Sequence, residues 1–95
     1  MITEPTQALK WEIKELIVET LGITDVNMEK IDDEKPLFGS DNALTLDSVD
    51  ALEIIMALQR KYSVRIGDQN LARSIIRSVN SIADFIIHEK AKING

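Results

Sequence analysis

The stretch Leu46-Asp47-Ser48-Val49-Asp50-Ala51-Leu52-Glu53 decides the fold, because it predicts the start of an amphipathic helix. Asp47 is a favoured N-cap residue, and Asp50 lies three residues later, where a carboxylate suits the positive end of the helix dipole. The apolar spacing continues to Tyr62. We therefore predict a helix over residues 47–62 that carries a single serine, Ser48, at its N-terminal end.

This predicted helix has more apolar surface than one core face requires. A bundle helix buries one stripe, which here is formed by Ala51, Ile54, Ile55, Leu58 and Tyr62. A second stripe of Val49, Leu52 and Met56 runs beside the acids Asp50 and Glu53. If it is exposed, it is a candidate partner surface. The alternative is a helix buried on two sides, which periodicity cannot exclude.

The rest of the chain predicts three further helices. Helical spacing indicates a first helix over residues 4–20, a short third one from Asp68 to about Arg77, and a fourth over 79–91. A long connection, residues 23–46, precedes the central helix and is punctuated by Pro36 and Gly39. The expected fold class is all-α, a small four-helix bundle with three main helices, in a single domain spanning 1–95.

Composition limits the classes of function. The chain has 95 residues and no cysteine, so it can form neither disulfides nor thiolate metal sites. Residues 1–53 carry 13 acids and 4 bases, whereas 54–95 carry 3 acids and 7 bases. An acidic field repels nucleic acid and attracts basic partners. No signal peptide and no membrane-spanning run are visible, so we expect a cytoplasmic, monomeric protein.

Catalysis by Ser48 itself is not predicted. A nucleophilic serine needs a base within hydrogen-bond reach, and the sole histidine, His88, is expected on the surface of the last helix. The acidic segments lack the ligand spacing of a calcium loop, and nucleotide-binding glycine loops are absent. We therefore expect no enzyme activity and no metal site. Ser48 remains either an ordinary helix-start serine or an acceptor for an attached group, since a helix N-terminus favours phosphate.

A family resemblance favours the second interpretation. The segment Asp47-Ser48-Val49-Asp50-Ala51-Leu52-Glu53-Ile54-Ile55-Met56-Ala57-Leu58 resembles the Asp-Ser-Leu motif and second helix of acyl carrier proteins. Leu21-Gly22-Ile23, Leu37-Phe38-Gly39 and the segment from Ser78 to Ile86 fit the same family, so the resemblance covers nearly the whole chain.

The resemblance implies roles for individual residues. Ser48 would carry 4′-phosphopantetheine, attached by a phosphopantetheinyl transferase that supplies the magnesium and the base, with Asp47 beside the metal site of that transferase. Partner enzymes, including acyl-transfer and condensing enzymes, would read one face of the helix, namely Val49, Asp50, Leu52, Glu53 and Met56. Ile54, Ile55, Leu58 and Tyr62 would line an interior that shelters the acyl chain.

Some residues depart from the family pattern. Thr45-Leu46 replaces the common Gly-x before the motif, Gln59, Arg60 and Lys61 stand where many relatives are acidic, and the third helix carries Arg73 and Arg77. The variant looks more like specialised carriers of polyketide or aryl-polyene type pathways than like those of general fatty-acid synthesis. The alternatives are an aminoacyl or peptidyl carrier, or an unmodified helical adaptor that binds proteins through the second stripe.

Overall fold

Four α-helices make up most of the computed structural model, which describes residues 5–38 and 46–94, with backbone alone for 5, 6 and 91–94. They are α1 (Pro5–Leu21), α2 (Ser48–Tyr62), α3 (Gln69–Ile75) and α4 (Val79–Asn94). A short 3-10 helix, Met28–Lys30, interrupts the connection between α1 and α2. These elements confirm the predicted all-α bundle and its long first loop. Gly39, predicted to punctuate this loop, and Thr45 lie outside the described residues.

The first helix ends where the sequence predicted, at a glycine. Gly22 has φ +67, a left-handed conformation that costs a residue without a side chain little. Its N–H donates to the Glu19 carbonyl at 3.3 Å, and the Ile23 N–H donates to the Val18 carbonyl at 3.0 Å. This pair of bonds is a Schellman motif, which satisfies the last carbonyls of α1 and turns the chain into the loop.

The third helix is shorter than predicted, because two serines begin α4 immediately after it. The Ser78 N–H donates to Ser81 Oγ at 2.9 Å, and the Ser81 N–H donates to Ser78 Oγ at 3.1 Å. The Ser81 hydroxyl also donates to the Ile75 carbonyl at 2.6 Å. The Ser81 hydroxyl thus satisfies the last carbonyl of α3, which ends at Ile75 instead of continuing to Arg77.

The core is aliphatic and lies between α1, α2 and α4, with α3 packed on α4. Each helix buries one stripe of its surface, as the periodicity predicted. The side chains with almost no exposure are Ile13 and Ile17 of α1, Ile54 and Leu58 of α2, and Val79 and Ile82 of α4, together with Ile31 and Leu37 of the loop. Loop residues thus complete the core that three helices leave open.

The long loop is fixed to the helices at three points. Lys14 of α1 forms an ion pair with Asp33, with Nζ and Oδ1 2.8 Å apart. The Asn80 N–H donates to the Asp33 carbonyl, and the Leu37 N–H donates to the Arg77 carbonyl, each at 2.9 Å. Beyond this, Phe38 and Leu46 pair through an isolated bridge. The loop therefore delivers the chain to the start of α2 from a fixed position.

Candidate functional site

Ser48 is the first residue of α2, and its side chain is exposed to solvent. The helix begins here because the Asp47 carboxylate accepts hydrogen bonds from the N–H groups of Val49 and Asp50, each at 3.0 Å. In return, the Asp50 carboxylate accepts the Asp47 N–H at 3.1 Å, which completes a capping box. The predicted cap at Asp47 is confirmed, and it holds the backbone around Ser48 in one geometry.

An open cavity of about 530 Å³ begins beside Ser48. It lies between α2, α3 and the end of the long loop. The loop contributes Phe38, Leu46 and Asp47, α2 contributes Ser48, Ala51, Leu52 and Ile55, and α3 contributes Gln69, Ala72 and Arg73. A volume of this size accommodates a small organic ligand. Most of its lining residues are apolar, so a flexible chain attached to Ser48 can leave water by entering it.

The cavity is distinct from most of the buried face of α2. Of the four side chains expected to shelter an acyl chain, Ile55 alone lines the cavity. Ile54 and Leu58 have no solvent exposure and belong to the closed core, and Tyr62 hydrogen-bonds to Glu12 of α1. The reason is the helical period: residues that face α1 and α4 cannot also face α3. The interior position of Ile54, Leu58 and Tyr62 agrees with what the resemblance implied, and the shelter of an acyl chain among them stays a prediction.

The second apolar stripe of α2 is exposed. Val49 is 66% exposed, Leu52 60% and Met56 52%, although all three are large apolar side chains. Glu53 is also exposed on this side of the helix. The alternative of a helix buried on two sides is wrong, because the bundle covers α2 on its other face only. An exposed apolar stripe with acids beside it is typical of a surface that binds another protein.

The described residues around Ser48 offer an acceptor hydroxyl without an activating base. Among the described residues that line the cavity, there is no histidine, and the one carboxylate, that of Asp47, already accepts two backbone hydrogen bonds. His88 is exposed on α4, as predicted. In residues 5–38 and 46–94 no group of three or more His, Asp or Glu side chains could hold a metal ion. The geometry fits a serine that receives a group from another protein.

Three residues near the site were missed by reasoning from the sequence. Arg73 and Gln69 line the cavity from α3, which the sequence could not bring next to α2. Gln59 accepts the Ile66 N–H at 2.9 Å, and this bond ties α2 to the segment that leads into α3. The sequence did contain a hint for two of them: Gln59 and Arg73 depart from the family pattern, and an unusual polar residue often has a local partner.

Residues 11–86 match the family model described as a phosphopantetheine attachment site. The match runs from Trp11 of α1 through the loop, α2 and α3 to Ile86 of α4, and it includes Ser48 and the cavity. The chain belongs to this family of phosphopantetheine-binding carrier domains, and 4′-phosphopantetheine is its covalently attached prosthetic group. An exposed hydroxyl at the edge of a largely apolar cavity suits such an arm.

Within the described ranges, no helix combines the length and apolar content needed to cross a bilayer.

Proposed function

We propose that this protein is an acyl carrier protein whose 4′-phosphopantetheine arm is attached to Ser48. The observation that carries the proposal is the exposed Ser48 side chain at the start of α2, at the edge of the cavity and inside the matched family segment. When bound, the arm supplies a terminal thiol that holds an acyl group as a thioester. The chain itself has no cysteine, so the arm is its sole source of a thiol.

Attachment at Ser48 uses a transferase and coenzyme A. The Ser48 oxygen forms a bond to the phosphorus that bears the pantetheine arm, and adenosine bisphosphate leaves as that phosphorus loses its old oxygen link. A base of the transferase takes the hydroxyl proton, and its magnesium binds the phosphates. Asp47 keeps Ser48 at the helix start and, as an adjacent carboxylate, completes the transferase metal site. That the transferase supplies the base agrees with the cavity lining, where the described residues include no histidine and where the one carboxylate, that of Asp47, is already hydrogen-bonded.

The exposed face of α2 is the surface that we assign to partner enzymes. Val49, Leu52 and Met56 supply apolar contact area, and Asp50 and Glu53 supply the charge that attracts a basic partner. The proposed partners are the phosphopantetheinyl transferase and the acyl-transfer and condensing enzymes that load and extend the cargo. The cargo is a fatty-acid or polyketide intermediate, carried by a monomeric, single-domain, cytoplasmic protein that catalyses no step itself.

The test is modification by a broad-specificity phosphopantetheinyl transferase. The purified protein is incubated with coenzyme A, magnesium and the transferase, and its intact mass is followed. We expect the gain of one phosphopantetheine unit, and no gain for Ser48→Ala. A matched control is Ser63→Ala, which removes an exposed serine at the other end of α2 and should leave the modification unchanged.

Two results would reject the proposal. Failure of the parent protein to gain mass would favour an unmodified adaptor that binds proteins through the exposed stripe of α2. A gain that survives Ser48→Ala would place the attachment at another residue. An aminoacyl or peptidyl carrier would also gain the arm, and the thioester cargo on protein purified from its native host separates that alternative.

A further inference from the structure

The cavity beside Ser48 has one wall with polar side chains, which a purely hydrocarbon guest cannot hydrogen-bond. Its apolar part comes from the loop and from α2, with Phe38, Leu46 and Ile55 as the large side chains. The opposite wall, on α3, carries the amide of Gln69 and the guanidinium of Arg73. Both groups are solvated in the open cavity, and a saturated chain that covered them would displace their water without offering hydrogen-bond partners, which costs free energy. The α3 wall therefore favours a guest with polar atoms.

The fold fixes which face of α3 meets the cavity. Asp68 caps the helix by accepting the Asn70 N–H at 3.1 Å, and Ile75 is buried on the side of α4. Gln69 and Arg73 are four residues apart, so they lie on one face of α3, with Ala72 beside them. The small Ala72 leaves room between the two polar side chains. Both side chains are exposed and open to the cavity.

Arg73 has no competing acid in the described part of the chain. No carboxylate in residues 7–38 or 46–90 forms an ion pair with it. Asp47, the one acid among the described residues that line the cavity, accepts backbone hydrogen bonds in the capping box of α2. A guanidinium has five N–H donors and no acceptor, and it binds carboxylate or carbonyl oxygen better than it binds any hydrocarbon.

We propose that Arg73, with Gln69 beside it, selects acyl cargo that carries oxygen acceptors, namely oxo groups or a carboxylate, over saturated chains. The inference rests on the proposed function, because the cargo reaches the cavity on the arm of Ser48. The arm that begins at Ser48 carries the thioester into the cavity, where the carbon atoms of the chain contact Phe38 and Ile55 and an oxygen of the cargo binds Arg73. The thioester of the preferred cargo then spends a larger fraction of time inside the cavity, away from water, than the thioester of a saturated chain.

The experiment compares three cargoes of equal chain length on the full-length protein. Synthetic coenzyme A thioesters of octanoate, 3-oxo-octanoate and octanedioate, the last with one carboxyl group thioesterified and the other free, are loaded onto Ser48 by a transferase, and loading is verified by intact mass. The rate of thioester cleavage by hydroxylamine at fixed pH is then measured for each. Guanidinium and backbone amide shifts of Arg73 are recorded by NMR on the same samples.

We expect the oxygenated cargoes to be cleaved about three- to tenfold more slowly than octanoate, the fold-change of one charge-assisted hydrogen bond made part of the time. In Arg73→Ala this difference in cleavage rate disappears. In Arg73→Lys part of the protection of the carboxylate cargo returns, because the charge is kept. Arg77→Ala is the matched control, since Arg77 is an exposed arginine that does not line the cavity. It should retain the full difference.

Several outcomes would overturn the proposal. One is equal cleavage of all three cargoes in the parent protein. Another is that Arg73→Ala changes the cleavage rate of all three cargoes by the same factor, while the NMR shifts of Arg73 in the parent protein already change when the arm is attached without cargo. That pair of results would mean that Arg73 binds the phosphate of the arm instead of the cargo. Failure to load Ser48 is read from mass alone and defeats the proposed function itself. Circular dichroism of Arg73→Ala and Arg73→Lys checks that the fold is retained.

Discussion

At the scale of the residue, Asp47 combines a structural role with a chemical one. Its carboxylate accepts hydrogen bonds from two backbone N–H groups and thereby caps α2, which begins at the next residue, Ser48. The same carboxylate lines the edge of the cavity next to the attachment point that we propose. One side chain thus sets where the serine lies and what charge lies beside it, and a simple deletion would confound the two effects.

Two substitutions separate the roles of Asp47. Asp47→Ala removes the cap and should lower the free energy of unfolding by about 1 kcal/mol, as measured by urea denaturation. Asp47→Ser keeps a capping oxygen and removes the charge, so stability should return to near the parent value. We expect both variants to be modified more slowly by the transferase. If Asp47→Ser is modified at the parental rate, Asp47 acts through the cap alone.

At the scale of the element, α2 separates three tasks around its circumference. Ile54 and Leu58 face the core, Ile55 faces the cavity, and Val49 and Met56 face solvent. A helix can hold these faces apart because its period of 3.6 residues spreads neighbouring residues over different sides. The exposed face begins acidic near Glu53 and ends basic at Arg60 and Lys61, so a partner would meet opposite charges along it.

Charge reversal at Glu53 tests the docking role of this face. Glu53→Lys should reduce the second-order rate constant of modification by the transferase several-fold at low salt, because it repels a basic partner. The difference from the parent should shrink as ionic strength rises. Glu29→Lys carries the same change of charge on an exposed residue outside α2 and serves as the control. Equal effects of the two reversals, or an effect independent of salt, would contradict a specific docking charge.

At the scale of the whole molecule, a few polar contacts between distant segments orient the elements. Tyr62 at the end of α2 donates a hydrogen bond to Glu12 Oε1 of α1 at 3.1 Å. The ion pair between Lys14 and Asp33 joins α1 to the loop at 2.8 Å. Apolar burial drives the association of these segments, but it is not directional, so such contacts specify how they meet.

The Tyr62 contact predicts a dependence of stability on pH. Burial, followed by the hydrogen bond to Glu12 and the charges of Glu12 and Glu15, raises the pKa of Tyr62 above its ordinary value of 10.0. The folded protein therefore keeps the phenol proton at a pH where the unfolded chain loses it. The stabilisation is complete below pH 10.0 and decreases as the pH rises above that value.

The substitution Tyr62→Phe measures how much the Tyr62 hydroxyl contributes to stability and how that contribution depends on pH. The variant should lose about 1 kcal/mol of unfolding free energy near neutral pH, because the hydroxyl bond to Glu12 is gone. Above pH 10.0 the parent should lose stability more steeply than the variant, so that the difference between them narrows. Chemical denaturation at several pH values provides both numbers. A difference that stays constant through the alkaline range would mean that Tyr62 has the same pKa in both states.

Much of the fold and part of the site could be predicted from local patterns. The cap at Asp47, the glycine that ends α1 and the exposed stripe of α2 are each written within a few neighbouring residues, and all three were confirmed. The end of α3 was predicted too late, because the Ser78–Ser81 cap competes with helix continuation. The docking role of Asp50 and Glu53 and the attachment at Ser48 stay predictions.

The sequence by itself determined the helices, the position of Ser48 and the family resemblance, because periodicity, capping and motif are short-range properties of the chain. Only the tertiary structure decided which surface lies beside Ser48. It brought Arg73 and Gln69 of α3 to the cavity and left Ile54, Leu58 and Tyr62 in the closed core. The physical reason is that a cavity is bounded by residues from separate elements, and their meeting depends on how every helix and the loop pack together.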